Sequence, residues 1–564
     1  METRNCQNCK KDFTIESEDF NFYKKIDVPP PTFCPECRFQ RRLMFKNERV
    51  LYKRPSDFTG KDIITIFSPD KLYKVYENKI WWGDNWDQYE YGMDYDSNRS
   101  FFDQFKELQQ KTPWMNLIVD PNNVNSDYVN HTGSCKNSFL IFNSDFCENV
   151  LYSVMAVSVK DSMDCIMIGE SELCYENIDG GGFQVFFSEN SNQCVNTYFL
   201  KDCLGCNDCF GCVNLRKKKY HIFNKPYLKD EYKKKIDSFN LHSFSNLEKI
   251  KKEVYNFWTK FPRKYMYGLR NVNVTGDYTF FSKNSKNMYK ARYTEDSKYC
   301  QEITIKSMKD CYDITEWGKH LELSYDSLTT GDNSQKVKFC FGSWSGAQNT
   351  EYCMITPGCS NCFGCCNIKK AEYCILNKKY TEKEYFKLRD QIIGDMNKKP
   401  YLDKKGRIWK YGEFFPYDLS LFSYNESQAI QQHPMSKEEV LEKGWSWREM
   451  EPSPHKITMT TDQIPDSIHN INDSILDEIL ECSECKKPFK IVKHEFDLLK
   501  RFVFPIPRKC PDCRHMNRIG RLNPPKLWNR QCMKENCGNK FQTSYSLDRP
   551  EIVYCEKCYQ NEVA

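Results

Sequence analysis

Residues 207–232 read NDCFGCVNLRKKKYHIFNKPYLKDEY and residues 360–385 read SNCFGCCNIKKAEYCILNKKYTEKEY. The two align without a gap from Cys206 to Asp237 against Cys359 to Asp390, at a constant offset of 153. A segment repeated this closely implies two halves built on one plan. Upstream of each copy the composition turns to Asn, Ser, Asp, Tyr, Phe and Cys. Short alternating stretches such as SFLIFNS (Ser138–Ser144) and QEITIKS (Gln301–Ser307) read as short strands separated by tight turns. Cysteines recur at intervals of nine (Cys165, Cys174; Cys194, Cys203, Cys212; Cys353, Cys362) and near twenty (Cys174, Cys194). Such an interval points to a mainly β protein whose core is a duplicated parallel β-solenoid, each coil lending a small apolar thiol to an internal ladder. A pair of antiparallel β-domains is the competing arrangement. Downstream of each FGC segment the pattern becomes helical. Thr381 with Glu384 forms a capping box before YFKLRDQII, and Ser245 with Glu248 precedes Leu247, Ile250, Val254 and Phe257 at helical spacing. These helices would cap the open ends of a solenoid.

The 30 cysteines fall into three zones, four at the start, eighteen from Cys135 to Cys374, and eight at the end. Cys6-x2-Cys9 and Cys34-x2-Cys37 are two thiolate pairs, each able to bite one metal from a tight turn, and they are far enough apart for the second turn to return to the first. That is the spacing of a four-thiolate zinc site. The same set recurs 476 residues later as Cys482, Cys485, Cys510 and Cys513. The match extends beyond the ligands, with Phe13 on Phe489, Phe20 on Phe496, Pro29 on Pro505, and Arg38, Arg42 and Arg54 on Arg514, Arg518 and Arg530. A third set, Cys532-x4-Cys537 with Cys555-x2-Cys558, completes another ribbon. About three structural zinc ions are expected, because every ligand is a thiolate and none of the sets leaves an open position for water. Zinc would supply the folding free energy that so short a module lacks.

These terminal modules resemble zinc-ribbon (treble-clef-like) domains with the pattern C-x2-C, an aromatic-containing middle, then P-x-x-C-P-x-C-R. Here it reads CQNCKKDFTIESEDFNFYKKIDVPPPTFCPECR and CSECKKPFKIVKHEFDLLKRFVFPIPRKCPDCR. Over nearly its full length the chain is similar to a group of large bacterial proteins with ribbons at both ends and a cysteine-rich repeat core. YGEFFPYDLSLFSYNES (Tyr411–Ser427) and SLDRPEIVYCEKCYQ (Ser546–Gln560) carry that likeness together with the FGC segments. The resemblance implies no particular biochemical activity.

The central cysteines leave two readings open. Cys203, Cys206, Cys209 and Cys212 stand three apart, as ligands of an iron–sulfur cluster can. The second copy keeps Cys359, Cys362 and Cys365 and adds Cys366, but has Thr356 where the first has Cys203. Stacked core thiols, small and hydrophobic, are therefore preferred over a cluster.

With 82 Lys and Arg against 77 Asp and Glu, a formal charge of +5, the chain is no polycation built to coat nucleic acid or membrane. A 40% hydrophobic and 15% aromatic content excludes a disordered chain. No run reaches the ~18 apolar residues of a spanning helix, the longest apolar-leaning stretch being Val150 to Val159. The start, METRNCQNCK, carries no export signal, so a reducing cytoplasm is expected and the cysteines read as ligands or buried thiols. No phosphate-binding loop, H-E-x-x-H or dinucleotide fingerprint is present. GSWSG (Gly342–Gly346) has tryptophan where a nucleophile would stand, and His320 and His433 are isolated. No catalytic residue is assigned, and a non-enzymatic protein is expected, with a protein partner or self-association.

Basic residues cluster behind each ribbon: Arg38, Arg41 and Arg42 in the first, and Arg514, Arg518 and Arg521 in the second, with Phe39, Phe45, Tyr52 and Trp528 interleaved. That composition also suits a nucleic-acid clamp, since guanidinium forks bind phosphate and rings stack on bases. Trp81, Trp82 and Trp86 would seal a junction between ribbon and core. The expected divisions are a first ribbon (1–54), an aromatic-rich junction (55–115), the first β-repeat copy (116–225), a helical cap (226–270), the second copy (271–380), and a helical cap (381–395). An extended linker (396–475), the second ribbon (476–530) and the third (531–564) follow.

Overall fold

Two large sheets organise the chain, one of ten strands between Asn130 and Pro226 and one of fifteen between Gly268 and Lys379. The computed structural model describes residues 1–120, 122–305 and 307–563, and is 30% strand and 23% helix with no closed barrel. Pairing within both sheets is parallel, apart from the closing hairpins, Lys219–Ile222 with Lys225–Pro226 and Glu372–Ile375 with Lys378–Lys379. The antiparallel alternative is thereby overturned.

Partner residues lie 12 apart along most of both sheets, as in Asn130↔Phe142, Asn207↔Lys219 and Ser360↔Glu372. They lie 13 apart in the middle of the second, as in Tyr312↔Tyr325 and Leu328↔Phe341. The repeat length expected from the cysteines, nine or near twenty, is thus corrected to twelve. The interval of nine arises from a shorter period. Every third residue faces inward, so Cys135, Ser138, Ile141, Ser144, Cys147, Val150, Ser153, Ala156, Val159, Ser162 and Cys165 are all buried. Two residues after each of them the backbone enters the left-handed region, at Asn137, Leu140, Asn143, Phe146, Asn149 and onward. Residues other than glycine rarely do this, and Asn and Asp tolerate it best. Stacked corners then bond to one another, Asn125 Nδ2 donating to Asn137 Oδ1 (3.2 Å), Asn137 to Asn149 (3.3 Å) and Asn149 to Asp161 (2.7 Å).

The inward side chains are small and weakly polar for a physical reason. In each triplet the other two N–H groups bond to backbone of neighbouring strands, as Lys136 N–H does to Cys147 O and Asn137 N–H to Val124 O. The inward N–H points into the interior, and a buried donor must find a partner. Where the residue twelve positions earlier is serine, it finds that side chain: Ala156 N–H donates to Ser144 Oγ (3.0 Å), Cys165 N–H to Ser153 Oγ (3.1 Å) and Cys174 N–H to Ser162 Oγ (2.9 Å). Each serine returns a bond to the carbonyl two residues before it, as Ser144 does to Phe142 O (2.8 Å).

Aromatic rings and helices close the far end of each sheet. Phe210 stacks on Phe239 at 4.3 Å beside helices Lys229–Ser238 and Phe244–Trp258, and Phe363 meets Phe101 of helix Phe101–Lys111 at 5.2 Å. The Thr381–Glu384 box heads helix Glu382–Lys398 as expected. The second helical start lies two residues earlier than the sequence suggests. Ser243 is the cap, and Ser245 instead meets Asp466, whose carboxylate also accepts from the Ser245 N–H.

The segment expected to be an extended linker is largely core. Trp409, Phe414, Phe415, Leu419, Leu421, Tyr424 and Trp445 are buried in the cluster shared by the first ribbon and the second sheet. Its prolines and short 3-10 turns hide the burial from any periodicity test. The terminal arms cross over: the N-terminal ribbon packs on the second sheet and the C-terminal ribbon on the first.

Candidate metal centres

The first ribbon begins as a hairpin, Glu2–Asn5 with Asp12–Ile15, whose turn carries Cys6 and Cys9. Cys6 N–H donates to Lys11 O (2.9 Å), Lys10 N–H donates to Cys6 O (3.0 Å), and Lys10 takes a left-handed φ of 60° to close the turn. The second pair comes from a helix start. Cys34 caps helix Pro35–Met44, Pro35 fills the position that needs no N–H, and Cys37 lies in the first turn. The positive end of a helix favours thiolate there. Cys482 and Cys485 repeat the turn, with Lys486 at φ 61°, and Cys510 caps helix Pro511–Ile519 ahead of Cys513. In the third set the hairpin Trp528–Gln531/Lys540–Thr543 leads to Cys532 and Cys537, and Cys555 and Cys558 sit at the start of helix Glu556–Val563.

In each tetrad the four sulfurs lie within 4.8 Å of one another. Cys9 and Cys34 Sγ are 3.7 Å apart, Cys485 and Cys510 3.7 Å, and Cys537 and Cys555 4.0 Å. A tetrahedral ion with thiolate bonds of about 2.3 Å requires edges of about 3.8 Å. One sulfur in each set also accepts a backbone N–H: Cys34 N–H to Cys6 Sγ (3.3 Å), Cys510 N–H to Cys482 Sγ (3.2 Å) and Cys555 N–H to Cys532 Sγ (3.3 Å). Such bonds hold negative sulfur in place. Burial would raise the Cys482 thiol, but the N–H groups of Cys510 and Cys485 bring it to about 7. All three tetrads could hold a metal ion.

The central cysteines are arranged differently. Cys203, Cys206, Cys209 and Cys212 are four successive inward positions, and their thiols donate to the carbonyls of Lys201 (3.4 Å), Leu204 (3.8 Å), Asn207 (3.2 Å) and Phe210 (3.3 Å). Cys359, Cys362 and Cys365 do the same, and Cys366 is buried beside Asn367. Among the described residues none of these eight belongs to a group with three or more ligand atoms within 4.8 Å. Elsewhere in the interior, burial pushes Cys174 up to about 11 and Cys194 and Cys300 up to about 12, so these thiols stay neutral. The cysteines here fill a narrow interior and hydrogen-bond within it.

Five of the six arginines behind the ribbons are buried, and Arg521 is half-buried. Arg38, Arg41 and Arg42 are fully buried. Arg38 reaches Asp313 at 2.7 Å, Arg41 reaches Asp326 (2.6 Å) and Glu413 (3.1 Å), and Arg42 spans Asp326 (2.7 Å) and Asp313 (3.3 Å). In the second ribbon Arg514 meets Asp164 (3.0 Å) and Glu495 (2.9 Å), and Arg518 meets Asp164 at 2.7 Å. Arg521 pairs with Glu189 and lies 3.7 Å from Glu176, with 22% of its side chain exposed. Burial alone favours a neutral guanidinium, but Asp313 keeps Arg38 charged. The nucleic-acid reading of these six residues is corrected: their forks are spent on carboxylates of the sheets. Sequence reasoning missed those acceptors, Asp164, Asp313 and Asp326. They sit at left-handed corners, where aspartate already looks like turn chemistry.

Among the described residues no helix is long and apolar enough to cross a membrane. No family model matches the chain, and no curated protein matches its sequence.

Proposed function

We propose that this protein is a zinc-binding, non-enzymatic scaffold of the cytoplasm, in which three zinc ribbons clamp an internally duplicated β-solenoid. The observation that carries the reading is the assembly of twelve cysteines, distant in sequence, into three all-thiolate tetrads of tetrahedral dimensions. Four thiolates per ion leave no place for water or substrate, so the metal's task is to hold a hairpin against a helix. Zinc suits such sites because it has no redox chemistry and accepts tetrahedral sulfur readily. The parallel register of twelve supports the solenoid, and the recurrence of the FGC segments and the ribbons supports duplication. A scaffold of this kind presents its outer faces to a protein partner or to a second copy of itself.

Elemental analysis of the anaerobically purified full chain, taken with its visible spectrum, tests the reading. About three zinc ions per chain and no iron is the expected result. Iron in place of zinc, with visible absorbance, would make the four-thiolate tetrads iron sites and overturn the zinc reading. Iron in addition to about three zinc ions would move the function to the central cysteines, and a metal-free folded chain would remove the ribbons' role altogether.

A further inference from the structure

The stretch expected to be a mere junction contains the ribbon geometry again, without a single cysteine. Tyr52–Pro55 and Asp62–Thr65 form an antiparallel hairpin. In its turn Ser56 N–H donates to Lys61 O (2.8 Å) and Gly60 N–H to Ser56 O (2.9 Å), with Gly60 at φ 72°. These are the bonds that Cys6 makes with Lys11 and Lys10, and that Cys482 makes with Lys487 and Lys486. A third bond ties each turn to the segment before its helix. Gln7 N–H donates to Thr32 O, Ser483 to Arg508 O and Met533 to Val553 O, each acceptor lying two residues before Cys34, Cys510 or Cys555. Asp57 N–H donates to Val75 O (3.0 Å), two residues before Glu77, which caps helix Asn78–Trp82.

The third ribbon shares further features. The offset of 476 that relates the terminal modules places Tyr52 on Trp528, Arg54 on Arg530 and Ser56 on Cys532. Each unit also docks by the same parallel pairing, Val75–Tyr76 on Trp114–Met115 and Val553–Tyr554 on Arg263–Lys264. The turn and tie bonds shared with the first ribbon, which set Ser56 on Cys6, Gly60 on Lys10 and Val75 on Thr32, place the four ligand positions at Ser56, Thr59, Glu77 and Ile80. Chemistry replaces the ion: the hydroxyls of Ser56 and Thr59 each donate to one carboxylate oxygen of Glu77. Phe58 N–H donates to Ser56 Oγ (3.1 Å), as a turn N–H would to a bound sulfur, and Ile80 packs against the neighbouring core.

We infer that residues 52–82 are a fourth ribbon, in which the Ser56–Thr59–Glu77 trio stands where the other three hold a metal. The N-terminal arm therefore keeps one of its two clamps when metal is withdrawn, whereas the C-terminal arm keeps neither. This inference rests on the metal-binding reading of the three tetrads, and its test separates the two.

Zinc per chain is measured for the full-length protein and for the variant Ser56→Cys, Thr59→Cys, Glu77→Cys, Ile80→Cys, both reconstituted with Zn²⁺. Three ions in the parent and four in the variant are expected. Three in both overturns the fourth ribbon and leaves the proposed function standing, whereas none in the parent overturns the proposed function itself. Should the variant fail to fold, peptide-resolved hydrogen exchange on the parent under chelator titration decides. Residues 52–82 should keep their protection at chelator concentrations that open 482–513 and 532–558. Loss of protection in all three segments at one chelator concentration overturns the inference.

Discussion

Helices Pro35–Met44 and Pro511–Ile519 begin with the same Cys-Pro-x-Cys-Arg step, yet they dock on different sheets by different charge arithmetic. The first sets three arginines against two sheet aspartates and Glu413 from the returning chain. The second sets two arginines on the single Asp164, with Glu495 from its own ribbon as the further acceptor. Behind the first helix Lys46 sits in a nest of Glu48 and Glu316, and 476 residues later the position is the buried Leu522. The difference teaches that the ribbon is a constant fitting and that the sheet's carboxylates decide where it seats. Buried ion pairs add little net stability but punish a missing partner severely, so they specify which arm meets which sheet.

The largest effect expected is from the metal itself. Cys510→Ser should lose one zinc and release the C-terminal arm, because structural zinc contributes on the order of 10 kcal/mol or more to such modules. Metal analysis and limited proteolysis between residues 476 and 563 would show it. An arm that stays protected after losing its ion would erase the contrast between the two ends.

Removing the seat comes next. Among the described residues Asp164→Ala leaves Arg518 the Tyr152 carbonyl (3.2 Å), whereas Asp326→Ala leaves Arg41 its bond to Glu413 and Arg42 its bond to Asp313. Denaturant unfolding should show a loss of about 3–5 kcal/mol for Asp164→Ala and a smaller one for Asp326→Ala. Equal losses would mean that sharing of carboxylates does not matter.

Acid sharpens the same comparison on the C-terminal side. Burial would raise the Glu189 carboxyl, but Arg521 and Lys201 more than offset it and hold it at about 2, below its ordinary 4.5. A carboxyl depressed on folding stabilises the fold above its unfolded pKa and loses that contribution as pH falls toward the folded value. Between pH 4.5 and 2 the protein should therefore lose about 3 kcal/mol through this group, and Glu189→Gln should flatten that limb in pH-dependent unfolding.

The smallest effect concerns the end caps. Thr381 accepts from Glu384 N–H, while Leu228, 153 residues earlier, has no hydroxyl to offer. Thr381→Ala should cost about 1 kcal/mol and Leu228→Thr should gain a similar amount, both read by thermal unfolding.

How far the sequence carries is itself uneven. Cys-x2-Cys pairs announce their geometry because four ligands of one type on short turns have few other uses, and the tetrads appear where the spacing puts them. Parallel strands were legible from the recurring thiols, but the repeat length was not, since cysteine occupies only some inward positions and Ser, Ala, Val and Ile hold the rest. The fourth ribbon was hidden by the loss of every cysteine, although Arg54 and Arg530 already aligned across it. The arginine clusters misled because composition cannot show a counter-charge brought from 275 residues away, as Asp313 is to Arg38.

The inward position at every third residue gives the two sheets a reading frame. Inserting one residue within a strand of a layer such as 135–147 would carry the next inward residue to a solvent-facing slot unless a corner absorbs it, as where the buried inward residues Ser343 and Ala347 stand four apart. The chain absorbs such changes locally: the offset is eleven at Ile178↔Glu189, fourteen at Thr294↔Met308 and thirteen from Tyr312↔Tyr325 to Val337↔Thr350, before twelve resumes at Thr350↔Cys362. Single-residue length changes should thus be viable at a corner, where the next inward position slips from three residues away to four, and not within a strand, a grammar of insertions and deletions that neither the ribbons nor the connecting helices impose.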